Sequence, residues 1–285
     1  MKAGLYAYPL TPFAGSGIDY QALDGLVARL SEAGVDGIGA LGSTGCAPYL
    51  EVAQRLAISE RVIAQAGQVP VMVGISALAT RDVLRLAEGA QRQGAASLLL
   101  APVSYQPLNE DEVFGLYQSL SAACDLPLCV YENPRTTQFT FSDALRQALA
   151  QLPRVAAFKL PGLTPADNRR LRALLPPHIN LGVAGDGAAA VALGSGVASW
   201  HSVAAGLFPE ACRALYLAAK AQQQHDTLAQ LWALFTRFGS LKVMAASAAL
   251  LGLVGHSLPQ PLQPLGPEAT REVKEVLVAL GLLGI

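Results

Sequence analysis

Short apolar runs alternate with amphipathic stretches along most of the chain. The runs are Leu5–Leu10, Gly37–Leu41, Val71–Ile75, Ser97–Ala101, Leu128–Tyr131, Val155–Lys159, Ile179–Val183 and Val197–Trp200. Runs this short and this continuously apolar predict strands buried on both faces. Between them apolar residues recur at helical spacing over Tyr20–Ala33, Glu51–Gln65, Thr80–Arg92, Glu110–Ala123, Phe141–Leu149, Ala166–Leu174, Gly187–Leu193 and Pro209–Lys220. Thr80 and Asn109 are predicted N-caps, each followed by acidic residues in the first turn.

Eight strand-then-helix units in succession predict an α/β chain folded as a (β/α)8 TIM barrel over residues 1–220. A doubly wound open sheet is the runner-up. It would carry a GxGxxG turn after its first strand, and Thr11-Pro12-Phe13-Ala14-Gly15-Ser16-Gly17 is not one. Residues 221–285 predict a C-terminal helical extension. It comprises a long helix over His225–Leu251, a break at Pro259, Pro261, Pro264 and Pro267, and a last helix over Glu268–Leu280. The extension is surplus to the barrel and is expected beside it or at a subunit contact.

Composition narrows the partners. The chain is 52% hydrophobic and only 14% charged, which favours a large buried area that can include subunit interfaces. A net charge of −1 without a basic cluster argues against nucleic acid and anionic membranes. The most apolar stretch, Ala245–Gly255, is shorter than the ~20 residues a spanning helix needs. The first residues lack the apolar core and cleavage site of a signal peptide. Cys46, Cys124, Cys129 and Cys212 show no CxxC spacing and are read as reduced thiols of a cytoplasmic protein. His178, His201, His225 and His256 are scattered, so no metal site is expected.

One charge stands out. Lys159 is the only one in Val155-Ala156-Ala157-Phe158-Lys159-Leu160-Pro161-Gly162. Desolvation favours the uncharged form of an amine, and only a free amine attacks a ketone to make a Schiff base. In a barrel, chemistry sits where strands end. Tyr131 ends strand five. Strand two ends in Gly42-Ser43-Thr44-Gly45, where glycines allow a tight turn and amides and hydroxyls can hold a carboxylate. Strand seven ends in Gly185-Asp186-Gly187. Each feature alone is as compatible with a bland turn or core position. Their meeting at one barrel mouth is what points to chemistry.

Together these motifs resemble the dihydrodipicolinate synthase / N-acetylneuraminate lyase family of Schiff-base-forming aldolases and lyases. The resemblance covers nearly the whole chain. It runs from Tyr8-Pro9-Leu10-Thr11-Pro12-Phe13 through Gly42-Ser43-Thr44-Gly45, Tyr131-Glu132-Asn133-Pro134 and Phe158-Lys159 to Gly185-Asp186. It implies that Lys159 attacks C2 of pyruvate or another 2-oxo acid and that the resulting iminium is the electron sink. No cofactor or metal would be needed beyond that covalent Schiff base. It further implies that Ser43 and Thr44, with the amides up to Gly45, hold the substrate carboxylate. Tyr131 would move protons as a general acid and base, and Gly185 would leave room for substrate. A homotetramer built as a dimer of dimers is expected.

Departures from the pattern bear on the substrate. Cys46-Ala47-Pro48 replaces the usual Glu after the loop on strand two. Ser104 falls where the lysine-pathway synthase has a relay Tyr, with Tyr105 one step displaced. The lysine-pathway synthase has an arginine for the second carboxylate two residues after this proline; here Arg135 follows Pro134 directly, so the loop reads one residue shorter, with Thr136 or Thr137 at that place. These changes favour aldol cleavage or condensation of a 2-keto-3-deoxy acid. Dihydrodipicolinate synthase and N-acetylneuraminate lyase are the alternatives within the class. Outside it stand a silent 2-oxo acid binding protein and a phosphate-binding barrel isomerase using Gly185–Gly187 and Gly194-Ser195-Gly196.

Overall fold

Eight parallel strands close on themselves. They are β1 (Gly4–Ala7), β2 (Gly37–Ala40), β3 (Val71–Gly74), β4 (Ser97–Leu100), β5 (Leu128–Tyr131), β6 (Val155–Pro161), β7 (Asn180–Ala184) and β8 (Ser199–Ser202). Each pairs with its neighbours in chain order, and β1 pairs with β8 from Gly4↔Ser199 to Ala7↔Ser202, so no edge is left. The structure is a computed structural model and describes residues 1–15, 17–223, 226–255 and 258–284. The predicted TIM barrel is therefore observed, with helices between the strands.

The barrel helices are α1 (Tyr20–Glu32), α2 (Val52–Gln65), α3 (Thr80–Arg92), α4 (Glu110–Ala123), α5 (Asp143–Ala150), α6 (Pro165–Leu174), α7 (Ala189–Gly194) and α8 (Pro209–Lys220). Local chemistry sets several starts. Asn109 caps α4 through the Glu112 amide, and the Glu112 side chain returns the bond. Thr164 and Asp167 do the same for α6. The expectation for Thr80 is corrected: Ala79 is the non-helical residue before α3, and Thr80 already lies in its first turn.

Strand alternation divides the apolar residues into two cores. Outward side chains such as Leu98, Leu128, Val130, Phe158, Leu181 and Trp200 pack under the helices in one large cluster. Inward ones form a small cluster of Tyr6, Tyr8, Met72, Leu99, Cys129 and Ala157, with Tyr131 at its rim. Strand ends shift where backbone chemistry demands it. β1 stops at Ala7 rather than Leu10: Tyr8 still donates to Ser202, but Pro9 has no N–H to continue.

The extension consists of α9 (Ala229–Phe238), α10 (Ser240–Leu250) and α11 (Pro267–Ala279). The single helix expected over His225–Leu251 is corrected. Gly239, at φ 83° and ψ 133°, breaks it in two, and its expected first residue, His225, lies outside the described residues. Trp232 of α9 packs edge-on against Trp200 of β8 at 6.5 Å, so the extension leans on the wall of the barrel. Among the described residues no helix is long and apolar enough to cross a membrane.

Candidate active site

Lys159 lies on the inner face of β6, only 5% exposed. An irregularity in the β5–β6 pairing sets its aim. Leu128 pairs with Val155 but Cys129 pairs with Ala157, so Ala156 is an extra residue. Beyond it Tyr131 stands opposite Lys159, both pointing inward. The Lys159 Nζ lies 3.9 Å from the centre of the Tyr131 ring and 4.0 Å from the centre of the Tyr8 ring. In the closed order β1 and β5 are four strands apart, so the two rings come from opposite walls. β6 itself runs two residues past the expected end at Lys159 and closes at the expected Pro161-Gly162.

The Tyr131 Oη accepts a hydrogen bond from the Asn133 Nδ2 at 3.1 Å. That leaves the phenol proton free to be donated elsewhere. Tyr8 is buried, and its Oη meets the Nδ1 of buried His201 at 2.9 Å. Burial, and then the nearby Lys159, hold His201 well below the ordinary imidazole range, so it is neutral. Burial likewise lifts Tyr8 well above the ordinary phenol and pushes the Cys129 thiol up to about 12. Among the described residues Lys159 forms no ion pair. The amine lies against the two tyrosine rings, with His201 and Cys129, both kept uncharged by burial, nearby.

Glu132, next to Tyr131, turns the other way. Both its oxygens accept from Arg146 of α5 at 2.7 Å, and Arg146 also reaches Asp143 at 2.8 Å. Burial raises the Glu132 carboxyl, with Arg146 pulling against that rise. This pair fastens α5 to the end of β5 and puts no charge into the mouth.

The loop after β2 is tightly drawn. Leu41 and Cys46 take positive φ of 57° and 55°, an uncommon conformation for a side chain as bulky as leucine. The expected turning at Gly42 and Gly45 is thus corrected: those glycines serve close approach. A Cβ on Gly45 would sit 3.0 Å from the Leu41 Cα, and one on Gly42 3.0 Å from the Tyr8 ring. The Thr11 Oγ1 donates to the Gly45 carbonyl at 2.7 Å and pins the loop. Thr44 is buried and Ser43 exposed.

Gly185 follows β7 at φ 86°, with open space where a side chain would be. Asp186 is not open to the mouth. It accepts from the Trp200 Nε1 at 2.9 Å and from the Val203 and Ala204 amides at 3.1 and 3.0 Å, tying β7 to the loop after β8. Ser104 is half-buried after β4, whereas Tyr105 is 89% exposed. Arg135 is exposed on a single helical turn, Pro134–Thr137. Lys159 and Tyr131 are in direct contact. Ser43, Thr44, Ser104, Tyr105, Arg135 and Gly185 sit on the loops that follow strands at the same end of the barrel.

Three residues carry no role in the sequence reading: Tyr8, His201 and Asn133. Inward alternation of Tyr6 and Tyr8 along the apolar run Leu5–Leu10 is the available signal for the first. His201 reads from sequence as a single core histidine, and its meeting with Tyr8 depends on β1 closing against β8.

Fold and mouth together define a (β/α)8 barrel that carries a buried lysine on its sixth strand between two tyrosine rings. Comparison with known proteins places it further. The family model described as "Dihydrodipicolinate synthetase family" matches residues 1–280. A solved dihydrodipicolinate synthase from Agrobacterium tumefaciens strain C58 is 39% identical, with a TM-score of 0.94 over 98% of each chain. A 4-hydroxy-tetrahydrodipicolinate synthase from Rickettsia typhi is 26% identical over 98% of this chain and 97% of its own length. A pyruvate complex of dihydrodipicolinate synthase from Acinetobacter baumannii has a TM-score of 0.93 over 99% of this chain and 100% of its own. At 23% identity it supports the fold alone. The chain belongs to the dihydrodipicolinate synthetase family.

Proposed function

We propose that this chain is a Schiff-base-forming lyase or aldolase acting on pyruvate or another 2-oxo acid. The observation that carries the reading is the Lys159 amine, buried and held over the Tyr131 ring without an ion-pair partner. The free amine adds to the C2 carbonyl, and the resulting oxygen gains one proton from the amine nitrogen and one from the Tyr131 phenol and leaves as water, the nitrogen keeping its other proton in the iminium. The iminium then draws in the electrons of the C3–C4 bond as it breaks, while Tyr131 accepts the C4 hydroxyl proton and the aldehyde departs. The enamine left behind is protonated at C3 and hydrolysed to pyruvate. Condensation is the same sequence reversed. The iminium supplies the electron sink, so the scheme uses no external cofactor.

Thr44 and Ser43, with the amides up to Gly45, hold the substrate carboxylate in this reading. Gly185 leaves space beside C3, and Ser104, Tyr105 and Arg135 meet the distal part of the substrate. The displaced Tyr105 and the shortened loop at Arg135 favour a 2-keto-3-deoxy acid. The synthase reaction of pyruvate with aspartate semialdehyde is the second reading, favoured by the names of the relatives. We place the protein in the cytoplasm as a homotetramer. Tyr49, Leu78 and Tyr105, exposed on the successive loops after β2, β3 and β4, are apolar area that a subunit contact would cover.

The test is turnover. Pyruvate release is measured from a panel of 2-keto-3-deoxy acids and N-acetylneuraminate, alongside condensation of pyruvate with aspartate semialdehyde. We expect turnover of a 2-keto-3-deoxy acid. Turnover with aspartate semialdehyde alone would select the second reading. A protein that binds 2-oxo acids yet turns over nothing in the panel would overturn the assignment as an enzyme.

A further inference from the structure

The cation formed at Lys159 has an unusual setting. In the reaction proposed above, Nζ becomes the nitrogen of a positively charged iminium. A buried cation needs compensation. Glu132, the carboxylate nearest in sequence to Tyr131, is fully engaged by Arg146. The groups around the amine in the inner column include Tyr8, Tyr131, His201 and Cys129, and burial keeps the histidine and the thiol uncharged.

What the column offers is ring face. Both ring centres lie within about 4 Å of Nζ, inside the roughly 6 Å range over which an aromatic face attracts a cation. The Tyr8 ring is also the better fixed of the two. Its hydroxyl meets His201 at 2.9 Å and Met72 Sδ at 3.6 Å, and His201 is stacked in turn on Tyr6, with centroids 5.1 Å apart. The neighbouring strands vacate the volume these rings occupy. A Cβ on Gly39 of β2 would overlap the Tyr8 ring, and one on Gly182 of β7 would run into the His201 imidazole. Polar aromatic side chains are thus built into the barrel interior beside the amine.

We propose that Tyr8 is a further catalytic residue: with Tyr131 it forms a two-sided aromatic clamp on the Lys159 nitrogen, stabilising the iminium, and His201 is the positioning residue that holds the Tyr8 ring in place. The inference rests on the Schiff-base reading of Lys159 and adds what the opposite wall contributes to it. Only the ring face is required of Tyr8. Its hydroxyl serves the bond to His201.

The test separates charge stabilisation from packing. Tyr8 is replaced by Phe and then by mono-, di- and trifluorinated Phe, which withdraw electron density from the ring face at nearly constant volume. Each protein is equilibrated with pyruvate and reduced with borohydride, and the concentration for half-maximal adduct is read by intact mass. Tyr8→Phe should stay within about threefold of the wild type. The fluorinated series should weaken stepwise, reaching about tenfold at trifluoro-Phe, as a lost cation–π contact requires. His201→Leu should weaken adduct formation about threefold in the Tyr8 protein and have no further effect in the trifluoro protein. A flat response across the series, with wild-type adduct intact, would overturn the clamp and leave the Schiff-base reading standing. Failure of the wild type to form an adduct with pyruvate or any other 2-oxo acid would overturn both.

Discussion

The two cores of this barrel are built differently. The outer one, between strands and helices, is mostly aliphatic, with Leu98, Val130, Leu145 and Leu181 joined by rings such as Phe158 and Trp200. The inner one holds Tyr6, Tyr8, Met72 and Cys129, and around it His201 and Lys159. Aliphatic side chains in the outer layer are interchangeable in chemistry and matter through volume and area. The inner residues carry hydroxyl, imidazole, thiol and amine groups, each of which must be partnered or kept neutral when buried. One layer holds the barrel closed, and the other prepares a nitrogen. Substitutions should therefore separate cleanly into those that cost stability and those that cost chemistry.

The largest effect is expected at the amine. Lys159→Ala should lower turnover on the order of 10⁴-fold or more, because the nucleophile itself is gone. Steady-state assay beside a thermal melt would check that the fold survives. Tyr131→Phe comes next. Loss of a positioned proton donor and acceptor should reduce kcat by about 10²- to 10⁴-fold. The retained ring face should leave the equilibrium level of the pyruvate adduct nearly unchanged, and equal losses in both readouts would contradict the division of labour.

Leu181→Ala probes the outer layer. Leu181 is fully buried on β7, and truncation should destabilise the protein by about 2–5 kcal/mol in urea unfolding. The molecules that remain folded should trap pyruvate as the wild type does. If adduct formation fell in step with stability, the two cores would not be separable.

A smaller effect concerns Asp186. Burial raises its carboxyl from 3.8 to about 6, against the hydrogen bonds from Ala204, Trp200 and Val203. The native chain then holds this proton more tightly than the unfolded chain. That contribution is complete below about pH 4 and is lost as pH rises through about 6. Asp186→Asn has no proton to lose. The wild-type melting temperature minus that of the variant should therefore fall between about pH 4.5 and pH 7.5 by scanning calorimetry. A constant difference would show that Asp186 does not titrate in this range.

The outer layer was far more legible in the sequence than the inner one. Continuous apolar runs and helical spacing mark all eight strands and their helices, because burial on two faces leaves little choice of residue. Boundaries were less legible. The run over Val155–Lys159 reads as ending at the lysine, yet β6 continues to Pro161, since a proline at a strand's last position needs to donate no hydrogen bond. The break at Gly239 was hidden by apolar residues on both sides that suit one helix as well as two. Lys159 and Tyr131 could be found because each is an odd residue at the end of an apolar run. Tyr8 and His201 could not, because each is ordinary in its own strand and gains meaning only when β1 closes on β8.

The central claim is that Lys159 is the amine that captures the substrate. It is tested most directly by incubating the protein with pyruvate, reducing with borohydride, digesting and mapping the modified peptide by mass spectrometry. A single reduced pyruvate adduct on Lys159, absent when borohydride is omitted, is the predicted result. An adduct on another lysine, or none with any 2-oxo acid, would contradict it.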